Sequence, residues 1–135
     1  VANWLKTVTV EIIRKPAYDW VGPAFRDHAE PLTGHLETAH LCWGVAAVLN
    51  LAEGVFSETE TVEIRQALRQ KGVGLCQRWV KKNKHLANWR GILVSGIVVA
   101  AAVLGDEAVL DETLPDLRLC RAAFQPDGSY GESLQ

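Results

Sequence analysis

The sequence predicts an all-α domain, and three observations carry the prediction. Apolar residues recur at three- and four-residue spacings along most of the chain. The glycines and prolines that punctuate it fall largely between those stretches. No segment alternates apolar and polar residues in a way that pairs as a hairpin. With 135 residues the chain is expected to form one domain, residues 1–135, large enough to bury a core. A 48% hydrophobic and 22% charged composition excludes disorder and low-complexity classes.

Each element follows from local chemistry. Val1 to Lys15 carries Leu5, Val8, Ile12 and Ile13, and Pro16 stops it, so a helix is expected. The β-branched run Thr7 to Val10 also suits a strand. Between Pro16 and Gly34 three prolines and two glycines leave room only for a structured loop. Its aromatic and polar residues, Tyr18 to Pro23 and Phe25 to His28, are read as loop packing. Leu36 to Glu53 places Leu41, Val45, Val48, Leu49 and Ala52 in helical register, with Gly54 as the stop. Ser57 and Glu60 form a capping-box pair opening a helix that runs toward Asn83, which Gly72 and Gly74 weaken without abolishing. Asn88 can cap the next helix, apolar on nearly every side from Ile92 to Leu104 and closed at Gly105-Asp106; such a helix belongs to an inner layer. That stretch is too short to span a bilayer, so no membrane contact is expected. Pro115 suits the first turn of a final helix through Phe124, after which Gln125 to Gly128 has turn chemistry and the rest is loop. Alternation of polar and apolar helices suggests layers, as in an α/α barrel or a helical array.

Cys42, Cys76 and Cys120 form no close pair in sequence and are read as small buried hydrophobes; the compartment stays unknown. There is no initiator Met and no signal segment, so the chain is expected to be a piece of a longer one. His35 and His40, five apart, do not align on a helix face, so no metal or other cofactor is expected. No nucleophile elbow, P-loop or dinucleotide fingerprint occurs.

The net charge of -2 names no partner, but its distribution is uneven. Between Glu63 and Asp106 there is no acidic residue, while eight of the fourteen basic ones lie there. A polyanionic partner is expected. Nucleic acid is not, because no recognition motif accompanies the charge. The ordinary alternative is that Lys81, Lys82 and Lys84 complement the negative end of their helix and otherwise face water.

The stretch Asn83 to Gly91 gathers amides, an imidazole, an indole and a guanidinium at the mouth of the apolar helix. A helix start favours a carboxylate or sulfate, Trp89 can stack on a sugar ring, and Arg90 can clamp an anion. Asn88-Trp89 ahead of the Gly/Ala-rich helix, followed by Pro126-Asp127-Gly128-Ser129-Tyr130-Gly131-Glu132-Ser133, resembles the heparinase II/III-like polysaccharide lyases over roughly residues 36 to 135. The resemblance implies an incomplete α/α toroid of antiparallel helix hairpins and cleavage of a uronic-acid-containing acidic polysaccharide by β-elimination. In that chemistry a donor neutralises the uronate carboxylate so that a base can take the C5 proton. Asn88 corresponds to the neutralising residue, with His85 as the alternative if Asn83-Lys84-His85 is the matching register. Trp89, Arg90, Tyr130 and Glu132 correspond to cleft residues that touch substrate. The family's catalytic Tyr follows the Glu of the Asp-Gly segment, and this chain ends three residues beyond Glu132, so it is expected to be inactive alone. The resemblance also points to a periplasmic or secreted setting, and exposed helix faces are expected to support self-association. The competing reading is a non-catalytic helical binding or scaffold module whose basic block contacts an anionic partner.

Overall fold

A computed structural model of the chain describes residues 1–22, 31–52, 54–84, 86–124, 126–127, 129 and 133–134. Its helices are α1 (Ala2–Arg14), α2 (Leu36–Leu51), α3 (Glu58–Ala67), α4 (Gly74–Lys82), α5 (Asn88–Leu104) and α6 (Glu107–Cys120). A π-helical turn, Leu68–Val73, joins α3 to α4, so 58–82 is one continuous rod and five rods pack together.

The starts and stops obey the local chemistry. Pro16 ends α1, so the β-branched run within it is helical after all. Ser57 N–H donates to Glu60 Oε2 at 2.7 Å and Glu60 N–H to Ser57 Oγ at 3.2 Å, the reciprocal box that satisfies two otherwise unpaired donors at the start of α3. Gly54 and Gly105 take φ of +85° and +67° after α2 and α5, the left-handed turn that favours glycine. The final helix departs from expectation: Asp106 caps it through Val109 N–H at 3.3 Å, nine residues before Pro115. Pro115 is therefore inside α6 and costs one helical hydrogen bond.

The core is centred on α5, which packs against α2, the 58–82 rod and α6. Hydrogen bonds fix the relative directions. Arg65 at the start of the rod donates to Leu104 O at the end of α5, and Arg90 at the start of α5 donates to Val80 O near the end of the rod, so the two are antiparallel. Arg90 also reaches Asp116 in the second half of α6, which makes α5 and α6 antiparallel too. His35 lies beside Trp89 where α2 and α5 both begin, so these two run the same way.

Two glycines allow the closest approaches. A Cβ on Gly96 would stand 3.0 Å from Ala39 Cα at the α2–α5 contact. One on Gly72 would stand 2.7 Å from Cys42 Sγ, and the rod widens into its π turn at that point. The segment before α2 is tied down by buried Thr38, whose hydroxyl donates to Trp20 O at 2.8 Å and accepts from His35 N–H at 3.0 Å. One feature went unread in the sequence. Leu86–Ala87 and Ser133–Leu134, the latter expected as loop, pair as antiparallel strands β1 and β2, with Leu86 opposite Leu134 and Ala87 opposite Ser133.

Among the described residues no helix is long and apolar enough to cross a membrane.

Candidate functional site

The site assembles where α4 ends and α5 begins. Asn83 terminates α4, its side chain donating to Trp79 O at 2.8 Å. Three residues on, the chain enters β1 and then α5, whose first residue is Asn88. Trp89, half-buried, meets the edge of His35 with ring centroids 5.5 Å apart and tilts against Trp79 at 6.1 Å. This aromatic group welds the starts of α2 and α5 to the end of α4. The part played by His35 was not read in the sequence, where its only visible relation was its spacing to His40. His40 instead lies tilted against Trp43 of its own helix, with ring centroids 5.0 Å apart.

Arg90 corrects the sequence reading. It was expected to clamp an incoming anion, but it is only 6% exposed and its guanidinium is engaged inside the protein. One terminal nitrogen donates to Val80 O at 3.2 Å and to Asn83 O, and the other is ion-paired with Asp116 of α6. A buried cation is tolerated only with such a set of partners, so Arg90 bolts three elements together and is not presented to a ligand.

The rest of the basic block is largely committed as well. Arg65 caps the end of α5 through Leu104 O at 3.0 Å, and Arg69 pairs with Asp106 at 3.3 Å. Lys71 donates to Ile13 O and Lys15 O, both at 2.6 Å, where α1 ends. Arg78 holds Leu32 O at 3.2 Å, and Lys81 pairs with Glu112 at 2.8 Å. Of the eight basic residues only Lys82 and Lys84 have no partner among the described residues. The segregation of charge read in the sequence is therefore spent mostly on internal helix-end carbonyls and on ion pairs with α6 and its cap. It does not form a free basic face.

Asn88 is half-buried and stands at one end of a groove of about 650 Å³ between the first turn of α5 and the end of α6. Gly91 and Ile92 form one wall and Leu117, Cys120 and Phe124 the other, with Arg118 and Arg121 also on the α6 side, and the exposed surface of the groove is mostly apolar. Burial pushes the Cys120 thiol up, and Asp116 nearby adds to this while Arg90 opposes it. Cys76 is raised further, through its hydrogen bond with Cys42 and through burial. Neither has the lowered pKa of an activated, catalytic thiolate. All three cysteines are free, and no group of three or more His, Cys, Asp or Glu side chains stands close enough to hold a metal among the described residues.

His85, Tyr130 and Glu132 lie outside the described residues. The backbone on either side of them is described. Ala87, which precedes Asn88, pairs with Ser133, which follows Glu132, so the two halves of the motif meet across forty-odd residues of chain.

No family model, curated protein or solved structure matches this chain.

Proposed function

We propose that this chain is part of a lyase that cleaves a uronic-acid-containing polysaccharide by β-elimination, with Asn88 as the residue that neutralises the uronate carboxylate. One observation carries the reading. The Asn88-bearing helix entrance and the Asp-Gly segment are linked in the sequence through the family resemblance, and the β1–β2 pairing brings residues beside them next to each other, Ala87 opposite Ser133. That proximity lets side chains from both segments contribute to one site beside Asn88.

The chemistry follows from an amide at that position. Removing the proton on C5, alpha to a carboxylate, develops enolate-like charge on the carboxylate oxygens. An Asn88 N–H aimed at one of those oxygens stabilises the charge more as it grows, and so lowers the barrier. The apolar groove walls beside Asn88 suit the C–H faces of sugar rings, and Trp89, braced by His35 and Trp79, keeps the entrance rigid. His85 is the alternative neutralising residue, and Tyr130 and Glu132 are candidate substrate contacts; these three enter on the resemblance alone. Arg90 does not enter, because both its terminal nitrogens are already held within the protein by Val80 O, Asn83 O and Asp116.

Two helices that start together, α2 and α5, each followed by an antiparallel rod, are also the unit from which an incomplete α/α toroid is built. That architecture is part of this proposal.

The test is a lyase assay on the protein encoded together with the sequence that follows Gln135. Rising ultraviolet absorbance from the unsaturated uronate product is expected on at least one uronate polymer, with loss of turnover and retained folding in Asn88→Ala. No product from any uronate polymer, or undiminished turnover in Asn88→Ala, would overturn the assignment.

A further inference from the structure

The outward face of α6 has a charge order that matches itself when reversed. Val109, Thr113, Asp116 and Cys120 form the side of this helix turned to α5: Thr113 is buried and Asp116 reaches Arg90. At 3.6 residues per turn, Glu107, Asp111, Leu114, Arg118 and Arg121 lie on the opposite side, within about 80° of arc. The four charged residues are exposed, and their side chains have no hydrogen-bond or ion-pair partner among the described residues. Both acids sit at the start of the face and both bases at its end, with Leu110, Leu114 and the exposed Leu117 along its centre and edge.

We propose that this face is a docking surface for a second copy of the same chain, in an antiparallel α6–α6 pair about a twofold axis through Leu114. A twofold there relates residue 107 to residue 121 of the other copy and residue 111 to residue 117, one position from Arg118. Each copy's Glu107 and Asp111 thus meet the other's Arg121 and Arg118, and the leucines meet across the axis. An interface of this kind is isologous and closes as a dimer without propagating. A parallel pair would oppose like charges and is disfavoured. The contact is one helix face, about 21 Å long, well below the area of a permanent interface, so the dimer is reversible and charge-dependent. The proposal uses nothing from the assignment of Asn88.

Sedimentation equilibrium tests it. The average mass should rise from the 14.8 kDa monomer toward twice that value over roughly the micromolar to millimolar range. It should fall back at about 1 M salt, where the screening length shrinks to about 3 Å. The double variants Arg118→Glu/Arg121→Glu and Glu107→Lys/Asp111→Lys should each stay monomeric, while an equimolar mixture of the two should associate. Monomers throughout for the unmodified chain, or association that survives charge reversal or strengthens with salt, would overturn the proposal. So would a mixture that stays monomeric although circular dichroism shows both variants folded. If the lysine variant fails to fold, because it removes Glu107 from the first turn of α6, Asp111→Lys alone takes its place in the mixture.

Discussion

Replacing Asp116 by Ala tests whether Arg90 is a structural bolt or a ligand-facing cation. The Arg90 side chain is 7% exposed and that of Asp116 28%. Removing one partner of a buried pair costs about 3–5 kcal/mol, because the other charge stays behind without compensation. Two reductions apply: the guanidinium keeps its bonds to Val80 O and Asn83 O, and water reaches the Asp116 side of the pair. The expected loss is about 2–3 kcal/mol. With an unfolding entropy of roughly 0.28 kcal/mol per kelvin for a chain this long, the melting temperature should fall by about 7–11 °C. An internal control lies one turn away. Lys81 and Glu112 are 65% and 52% exposed, so Glu112→Ala should cost less than about 1 kcal/mol. Urea unfolding of Arg90→Met, Asp116→Ala and the double variant closes a thermodynamic cycle, in which the double variant should lose less than the two single losses added. If Asp116→Ala costs no more than Glu112→Ala, the guanidinium is not dependent on its internal partner, and the argument that removed Arg90 from the ligand site fails.

Three further expectations concern the scaffold. Gly44→Ala, in the middle of α2 with open space where the Cβ goes, should stabilise by up to about 1 kcal/mol in urea unfolding; Gly96→Ala, whose Cβ would press on Ala39, should destabilise by about 1–3 kcal/mol. The Glu60 carboxyl is lowered from 4.5 to about 2 by its bond to Lys6 and by the Ser57 N–H, so its contribution is complete above pH 4.5 and is lost as pH falls toward 2. The urea midpoint of Glu60→Gln should therefore fall less steeply across that window than that of the unmodified chain. In native protein a thiol-reactive disulfide reagent should modify Cys120 first, because Cys42 and Cys76 are wholly buried, and all three should react at once in denaturant. Equal native rates at the three would place the core boundary elsewhere.

The fold was legible where local chemistry decides it. The capping box at Ser57, the positive-φ glycines after α2 and α5 and the continuous apolar run of α5 each act over a few residues, and each appears where the sequence points. The start of α6 was misread because Pro115 looked like a first-turn proline, whereas Asp106 had already supplied the cap. The site was legible only in part. Asn88 and Trp89 announce a helix entrance, but the fate of Arg90 depends on Asp116, which arrives from another helix, and no spacing rule reveals that pairing. The same holds for the basic block: its charges are close in sequence, yet their partners are carbonyls at helix ends and acids on or beside α6. The pairing of β1 with β2, two residues each, is too short to leave a pattern in the sequence.

The π turn at Leu68–Val73 governs phase along the rod. Ile64, Leu68, Gly72, Cys76 and Val80 recur every four residues and all are buried, although a straight α-helix would swing such a row aside by about 40° at each step. The looser winding, with bonds reaching five residues back, absorbs that drift and keeps one ridge trained on its neighbours from end to end. Excising one residue between 68 and 73 would restore ordinary winding and leave the far half of the rod facing α5 as before, so the change would register at the turn itself, where Gly72 meets Cys42.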